Sequence, residues 1–157
     1  MDTKKLLTFL VVLLMFAVAG YFLWSESTPA EAKFETATVH LSPDCGCCVN
    51  HARYLANAGV EVNIYEHDNS HLRQMRSQFG IPEGYRSCHT TEVGEWKIEG
   101  HVPLEIINEV VERQPEAGII SLPGMPSGSP GMPGAKTEEW VFYEIDAGEV
   151  TGEFITK

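Results

Sequence analysis

Three of the four cysteines of this 157-residue chain fall within Cys45-Gly46-Cys47-Cys48, and the fourth, Cys88, is followed at once by His89. The cluster comes after a short alternating run, Ala37-Thr38-Val39-His40-Leu41, and a Ser42-Pro43-Asp44 turn, and a helical pattern starts behind it. That order puts the thiols at a helix N-terminus, where unpaired N–H groups and the macrodipole favour the thiolate, the form that attacks disulfides and binds metals. A strand feeding a thiol-bearing helix excludes an all-helical bundle and restricts the chemistry to redox or soft-metal work.

The other elements follow from periodicity. A helix is expected from about Cys47 to Ala58, with Val49, Ala52, Leu55 and Ala58 inward and Gly59 as its stop. Val60 to Tyr65 alternates as a strand, and a second helix capped by Asn69 or Ser70 carries Leu72, Met75 and Phe79 as far as Gly80. Cys88–Val93 and Trp96–Ile98 read as a hairpin around Gly94-Glu95, after which Pro103 opens a third helix with Ile106, Ile107, Val110 and Val111 inward. A βαβ unit followed by a ββα unit is the thioredoxin-like α/β plan, in which Cys45 and Cys48 take the Cys-x-x-Cys spacing. The fold class expected is therefore thioredoxin-like βαβ–ββα with a C-terminal Gly/Pro/Met loop and one extra edge strand, Trp140–Ile145, preceded by an N-terminal apolar helix.

That N-terminal segment differs from the rest. Lys4 and Lys5 precede an uncharged apolar run from Leu6 to Trp24, the pattern of a signal sequence or an N-in membrane anchor. Ala17-Val18-Ala19 and Ala30-Glu31-Ala32 are the two small-residue cleavage candidates, but the run reaches the lower bound for a spanning helix, which favours an uncleaved anchor over residues 5–24. The chain divides accordingly into 1–24 as signal or anchor, 25–34 as linker and 35–157 as the metal-binding domain. An exported domain in a bacterial-type cell lies in the oxidising periplasm, where clustered cysteines are catalytic, bridged or held by metal. With 11 basic against 22 acidic residues, nucleic acid is excluded as a partner of the soluble part, and the membrane is met only through the N-terminal segment.

Redox and metal readings diverge at two positions. Thioredoxin-like oxidoreductases carry a cis-proline just before the third strand, facing the dithiol. Here that neighbourhood is Arg86-Ser87-Cys88-His89. Cys47, between the two redox positions, would scramble a resolving pair. Crowded thiolates suit several bridged soft ions, and four thiolates neutralise four Cu(I) ions, so the assembly can sit in a low-dielectric pocket. For the sulfurs to share such ions, Cys45 and Gly46 are expected off the helix, with Gly46 curling the backbone. Zinc is the lesser candidate, because zinc sites usually space paired cysteines by at least two residues and Cys47-Cys48 has no spacer.

Pro-Gly-Met-Pro occurs twice between Pro123 and Gly134, so Met125 and Met132 sit in a constrained loop, either as apolar cover or as thioethers that receive or pass on copper. His89 and His101 are candidate partners or transient ligands of the metal, and a loop histidine bonded to backbone is an equal reading of His101. His40, His51, His67 and His71 have no partner at metal spacing and read as solvated or structural. His51 stands nearest to an exception, one helical turn after Cys48.

Four motifs in order, Ser42-Pro43-Asp44-Cys45-Gly46-Cys47-Cys48, Arg86-Ser87-Cys88-His89-Thr90, Ile98-Glu99-Gly100-His101-Val102-Pro103 and the Pro-Gly-Met-Pro-x-Gly-Ser-Pro-Gly-Met loop, resemble the CopG-type periplasmic copper-resistance proteins. The resemblance runs from about Thr36 to the final strand. It implies a thioredoxin-like fold with a multinuclear copper–thiolate cluster on Cys45, Cys47, Cys48 and Cys88, a copper-efflux system as partner, and interconversion of Cu(I) and Cu(II). The long apolar N-terminal run and Asp44 before the motif depart from the family pattern. Two rival functions stand beside the copper oxidoreductase: a thiol-disulfide oxidoreductase, which predicts a Cys45–Cys48 disulfide, and a silent copper store or chaperone.

Overall fold

The computed structural model describes residues 2–25, 31–113 and 117–156. Residues 2–25 form a unit of their own, a single helix α1 (Thr3–Ser25). Among the described residues no helix is long and apolar enough to cross a membrane. Half of the 25–34 linker, positions 26–30, including the alanine at the start of the second cleavage candidate, lies outside the described residues.

The second unit runs from Glu31. Its elements are β1 (Thr36–Leu41), α2 (Gly46–Asn57), β2 (Glu61–Glu66), α3 (Asn69–Phe79), a 3-10 turn at Glu83–Tyr85, β3 (Thr90–Val93), β4 (Trp96–Glu99), α4 (Leu104–Arg113), β5 (Ile119–Ser121), β6 (Val141–Asp146) and β7 (Glu149–Thr156). All seven strands join one sheet in the order β2-β1-β3-β4-β5-β6-β7. The β1–β2 and β4–β5 pairs are parallel and the remainder antiparallel.

Local chemistry sets the boundaries. Asp68 caps α3, its carboxylate accepting from the Ser70 and His71 N–H groups at 2.8 and 2.9 Å, so the cap lies just before the Asn69 or Ser70 expected. Gly80 ends the helix in the left-handed conformation. Gly46 is helical, the first residue of α2, and only Cys45 stays outside as the cap; the helix needs no curl there. Its buried face runs through Cys48, His51, Ala52 and Leu55, so His51 belongs to the inward stripe.

The main core packs α2 and α4 on one face of the sheet, with Leu55, Leu104, Ile106, Ile107 and Val110 against Val93, Trp96, Ile98, Ile120 and Phe142. A smaller cluster of Val39, Leu41, Cys48 and Ala52 makes the floor beneath the thiols. Ile81, Ile119 and Ile145 form a third.

The C-terminal part corrects the expectation. The strand at Trp140–Ile145 appears as β6 but is interior, hydrogen-bonded to β5 on one side and β7 on the other. The edge is β7. Its alternation is broken by Gly152 and diluted by Glu149 and Glu153, and the three-residue β5 is too short to show a period at all.

Candidate metal centre

Cys45 closes the turn after β1, its N–H bonded to the Ser42 carbonyl at 2.9 Å, and the helix behind it carries Cys47 and Cys48 in its first turn. Cys88 arrives from the loop before β3 rather than from the strand itself, which begins at Thr90. That approach is fixed by Glu99 at the end of β4. Its buried carboxylate accepts from the Ser87 N–H at 2.6 Å and from the Thr90 hydroxyl at 2.5 Å, and Arg76 of α3 lies 2.9 Å away as a charge contact. Burial raises the Glu99 carboxyl above the usual carboxylate range and Arg76 opposes the shift.

The four sulfurs lie within 4.8 Å of one another, so the structure brings Cys45, Cys47, Cys48 and Cys88 to one point. Cys45 and Cys48 are joined as a disulfide, their Cα atoms 5.3 Å apart, and Cys47 and Cys88 are free. The bridge follows from Cys-x-x-Cys spacing at a helix start, which puts the two Cα atoms inside the range a disulfide spans. The Cys47 sulfur is 3.4 Å from that of Cys45. In this form only two thiols are available, and a four-thiolate site requires two-electron reduction of the bridge. Burial, reinforced by the neighbouring Cys47, pushes the Cys88 thiol up to about 12, so it keeps its proton at neutral pH until a metal displaces it.

Behind Cys88 lie three histidines, all fully buried. Carbonyl oxygens only accept, so each contact to one locates a ring proton. His51 Nε2 faces the Val102 carbonyl at 3.0 Å and is the protonated nitrogen, which leaves Nδ1 bare. That nitrogen lies 3.0 Å from His89 Nε2, which must donate, so the bare Nδ1 of His89 turns to Cys88 Sγ at 3.5 Å. His101 Nδ1 donates to the Pro130 carbonyl at 2.8 Å, leaving its bare Nε2 3.0 Å from the same sulfur. Two imidazole lone pairs and a thiol therefore converge. Burial pushes His51 down to about 4, lowers His89 well below the ordinary histidine range and lowers His101, so all three rings are neutral at pH 7, and His89 and His101 are the two with a lone pair left for the thiol side.

His51 was not read from sequence as part of the site, although its place one turn after Cys48 was the available signal. Its partner His89 is 38 residues away along the chain. His101 combines both of its expected readings, bonding backbone through one nitrogen and facing the thiol through the other.

The Gly/Pro/Met loop closes over this assembly. Gly131 lies so near the first turn of α2 that an added Cβ would sit 2.7 Å from the Cys47 carbonyl and 2.6 Å from the His51 N–H nitrogen. Only glycine fits there, and its left-handed φ of 86° excludes other residues a second time. Pro130, next to it, supplies the carbonyl that orients His101. Met125 is exposed and Met132 half-buried.

Fold and site together define a mixed α/β protein whose soft-donor centre combines a redox-capable cysteine pair, two further thiols and neutral imidazoles. The family "Protein of unknown function, DUF411" matches residues 85–132, the span from the Cys88 approach to the Met132 loop. Two solved structures, "Copper resistance protein copG- Form 1" and "Form 2", are each similar to this chain at 28% identity and a TM-score of 0.65, covering 78% of this chain and 98% and 100% of theirs. No curated protein matches. These likenesses support a CopG-type family for the chain.

Proposed function

We propose that this protein binds copper through Cys45, Cys47, Cys48 and Cys88 as a multinuclear Cu(I)–thiolate cluster, with His89 and His101 as further donors at its Cys88 edge. The observation that carries the reading is the convergence of four sulfurs within 4.8 Å with two imidazole lone pairs turned to Cys88. Soft thiolates and borderline imidazole are the donors copper takes, and thiolates offset the cuprous charge that a buried site could not hold bare. The resemblance to copper-resistance structures supports the same metal. On this reading the fold is thioredoxin-like, and the Cys45–Cys48 bridge opens by two-electron reduction from a dithiol donor before four thiolates engage.

The Lys4-Lys5 pair and the apolar run after it support an exported, periplasmic domain with a signal or anchor at its N-terminus, working beside a copper-efflux partner. Cycling between Cu(I) and Cu(II) would make the centre an oxidoreductase of its own metal.

A specific observation favours a second reading. The Cys45–Cys48 disulfide is the bond a thiol-disulfide oxidoreductase carries. Against it stands Cys47, placed 3.4 Å from Cys45 to attack the same pair. Anaerobic reconstitution of the reduced chain with Cu(I) separates the two: more than one copper per chain at saturation is expected, whereas one ion or fewer removes the cluster. Catalysed disulfide exchange without stoichiometric copper would establish the oxidoreductase.

A further inference from the structure

A second group of histidines lies on the other side of the sheet. Along β1, Val39 and Leu41 point to the floor beneath the thiols, so His40 between them projects from the opposite face. There its Nδ1 lies 3.0 Å from Nε2 of His67, which follows β2, while its Nε2 lies 2.7 Å from Oε1 of Glu92 on β3. His71, in the first turn of α3, stacks on His67 with ring centroids 4.5 Å apart and planes within 8°. Lys97 holds the other Glu92 oxygen at 2.8 Å, which leaves Oε1 to His40.

The carboxylate sets the tautomer. An ionised carboxylate only accepts, so His40 carries its proton on Nε2 and presents a bare Nδ1. This is the carboxylate–histidine arrangement that orients imidazole ligands in metal sites and raises their basicity. In the metal-free protein the 3.0 Å contact is a shared proton donated by His67. If His67 moves that proton to Nδ1, both facing nitrogens become donors and no proton is lost. Two nitrogens 3.0 Å apart, each at the usual 2.0–2.1 Å from one ion, subtend about 90–100°, the cis angle of square-planar coordination rather than the wider tetrahedral one. Square-planar nitrogen coordination is the preference of Cu(II) and Ni(II).

We propose that His40 Nδ1 and His67 Nε2 form a second, half-exposed metal site for a divalent ion of square-planar preference, Cu(II) foremost, with Glu92 as the residue that positions His40. The site shares no residue with the thiol centre and stands independently of the function proposed above.

The test uses the full chain with Cys47→Ser and Cys88→Ser, the Cys45–Cys48 disulfide intact, titrated with Cu(II) alone by equilibrium dialysis and electron paramagnetic resonance. A saturable Cu(II) signal with nitrogen superhyperfine structure is expected. His67→Ala in that background should remove one equivalent, weakening the site at least about 100-fold, and Glu92→Gln should loosen it about 10- to 100-fold. His67 is half-exposed in the loop after β2, so its truncation should leave the far-ultraviolet circular dichroism unchanged; His40→Asn, on β1, gives the same readout by a separate route. Equal Cu(II) uptake and an unchanged signal in both histidine variants would overturn the site, as would a parent that takes up no saturable Cu(II).

Discussion

The chain's six histidines divide into two groups of three that the fold treats in opposite ways. His51, His89 and His101 are fully buried behind Cys88, and two backbone carbonyls dictate which ring nitrogen carries each proton. His40, His67 and His71 lie half-buried or exposed on the other face of the sheet, where the Glu92 carboxylate orients His40. Burial makes the first group neutral rings of fixed tautomer. Partial exposure leaves the second in reach of solvent, with the His40 and His67 rings facing each other across 3.0 Å. The same side chain thus takes a dry, carbonyl-fixed setting on one side and an open, carboxylate-held one on the other, and the difference arises from desolvation and backbone carbonyls rather than from residue type.

The largest effect expected is on the closed side. Cys88→Ser should lose most of the tightly held copper while the fold persists, because the other three cysteines remain at the start of a packed helix and Glu99 still holds the Ser87 backbone. Copper analysis of the reconstituted variant checks this, and unchanged content would make Cys88 an ordinary core thiol.

Acid should separate the two histidine groups next. His51 has a folded value of about 4 against an ordinary 6.5, so the unfolded chain takes up the proton first as pH falls. Its contribution is complete above pH 6.5 and is lost as pH drops toward 4, roughly 3 kcal/mol over that window. Urea unfolding at pH 7 and pH 4.5 measures it. His51→Asn should make the profile shallower, with His89 and His101 supplying the slope that remains, and should do so by more than His67→Ala; a flat wild-type profile breaks the contrast.

His101→Gln removes a bare nitrogen facing Cys88 while keeping a donor for the Pro130 carbonyl. Copper affinity should fall about 10- to 100-fold in competition with a Cu(I) chelator, with stability little changed. Equal affinity would reduce His101 to a backbone clamp.

The smallest effect concerns the loop. Replacing Met125 and Met132 together by leucine should leave copper stoichiometry intact and slow transfer to a chelator a few-fold, since thioethers are neutral and cannot stand in for thiolates. Stopped-flow rates equal to wild type would return both side chains to apolar cover.

Much of this molecule can be read from short windows of residues. The order of elements from β1 to α4, the stops at Gly59 and Gly80 and the four candidate thiols all follow from periodicity, capping chemistry and the spacing of cysteines, which are properties of neighbours in the chain. Gly131 could be read only as a turn residue; that it must lack a Cβ because α2 passes beneath it is a fact of packing. The Cys45–Cys48 bond was one of two readings, and the geometry of the folded turn favours it in this form. The histidine contacts were out of reach, because His51 meets His89 across 38 residues and His40 meets His67 across 27. Sequence alone determined which donors the chain owns and that the thiols would meet a helix N-terminus. Which imidazoles join the thiols, which nitrogen each presents and which three lie together on the far face were decided by the tertiary structure, since lone pairs are directed only once the carbonyls and carboxylates that hold the opposite nitrogen are in place.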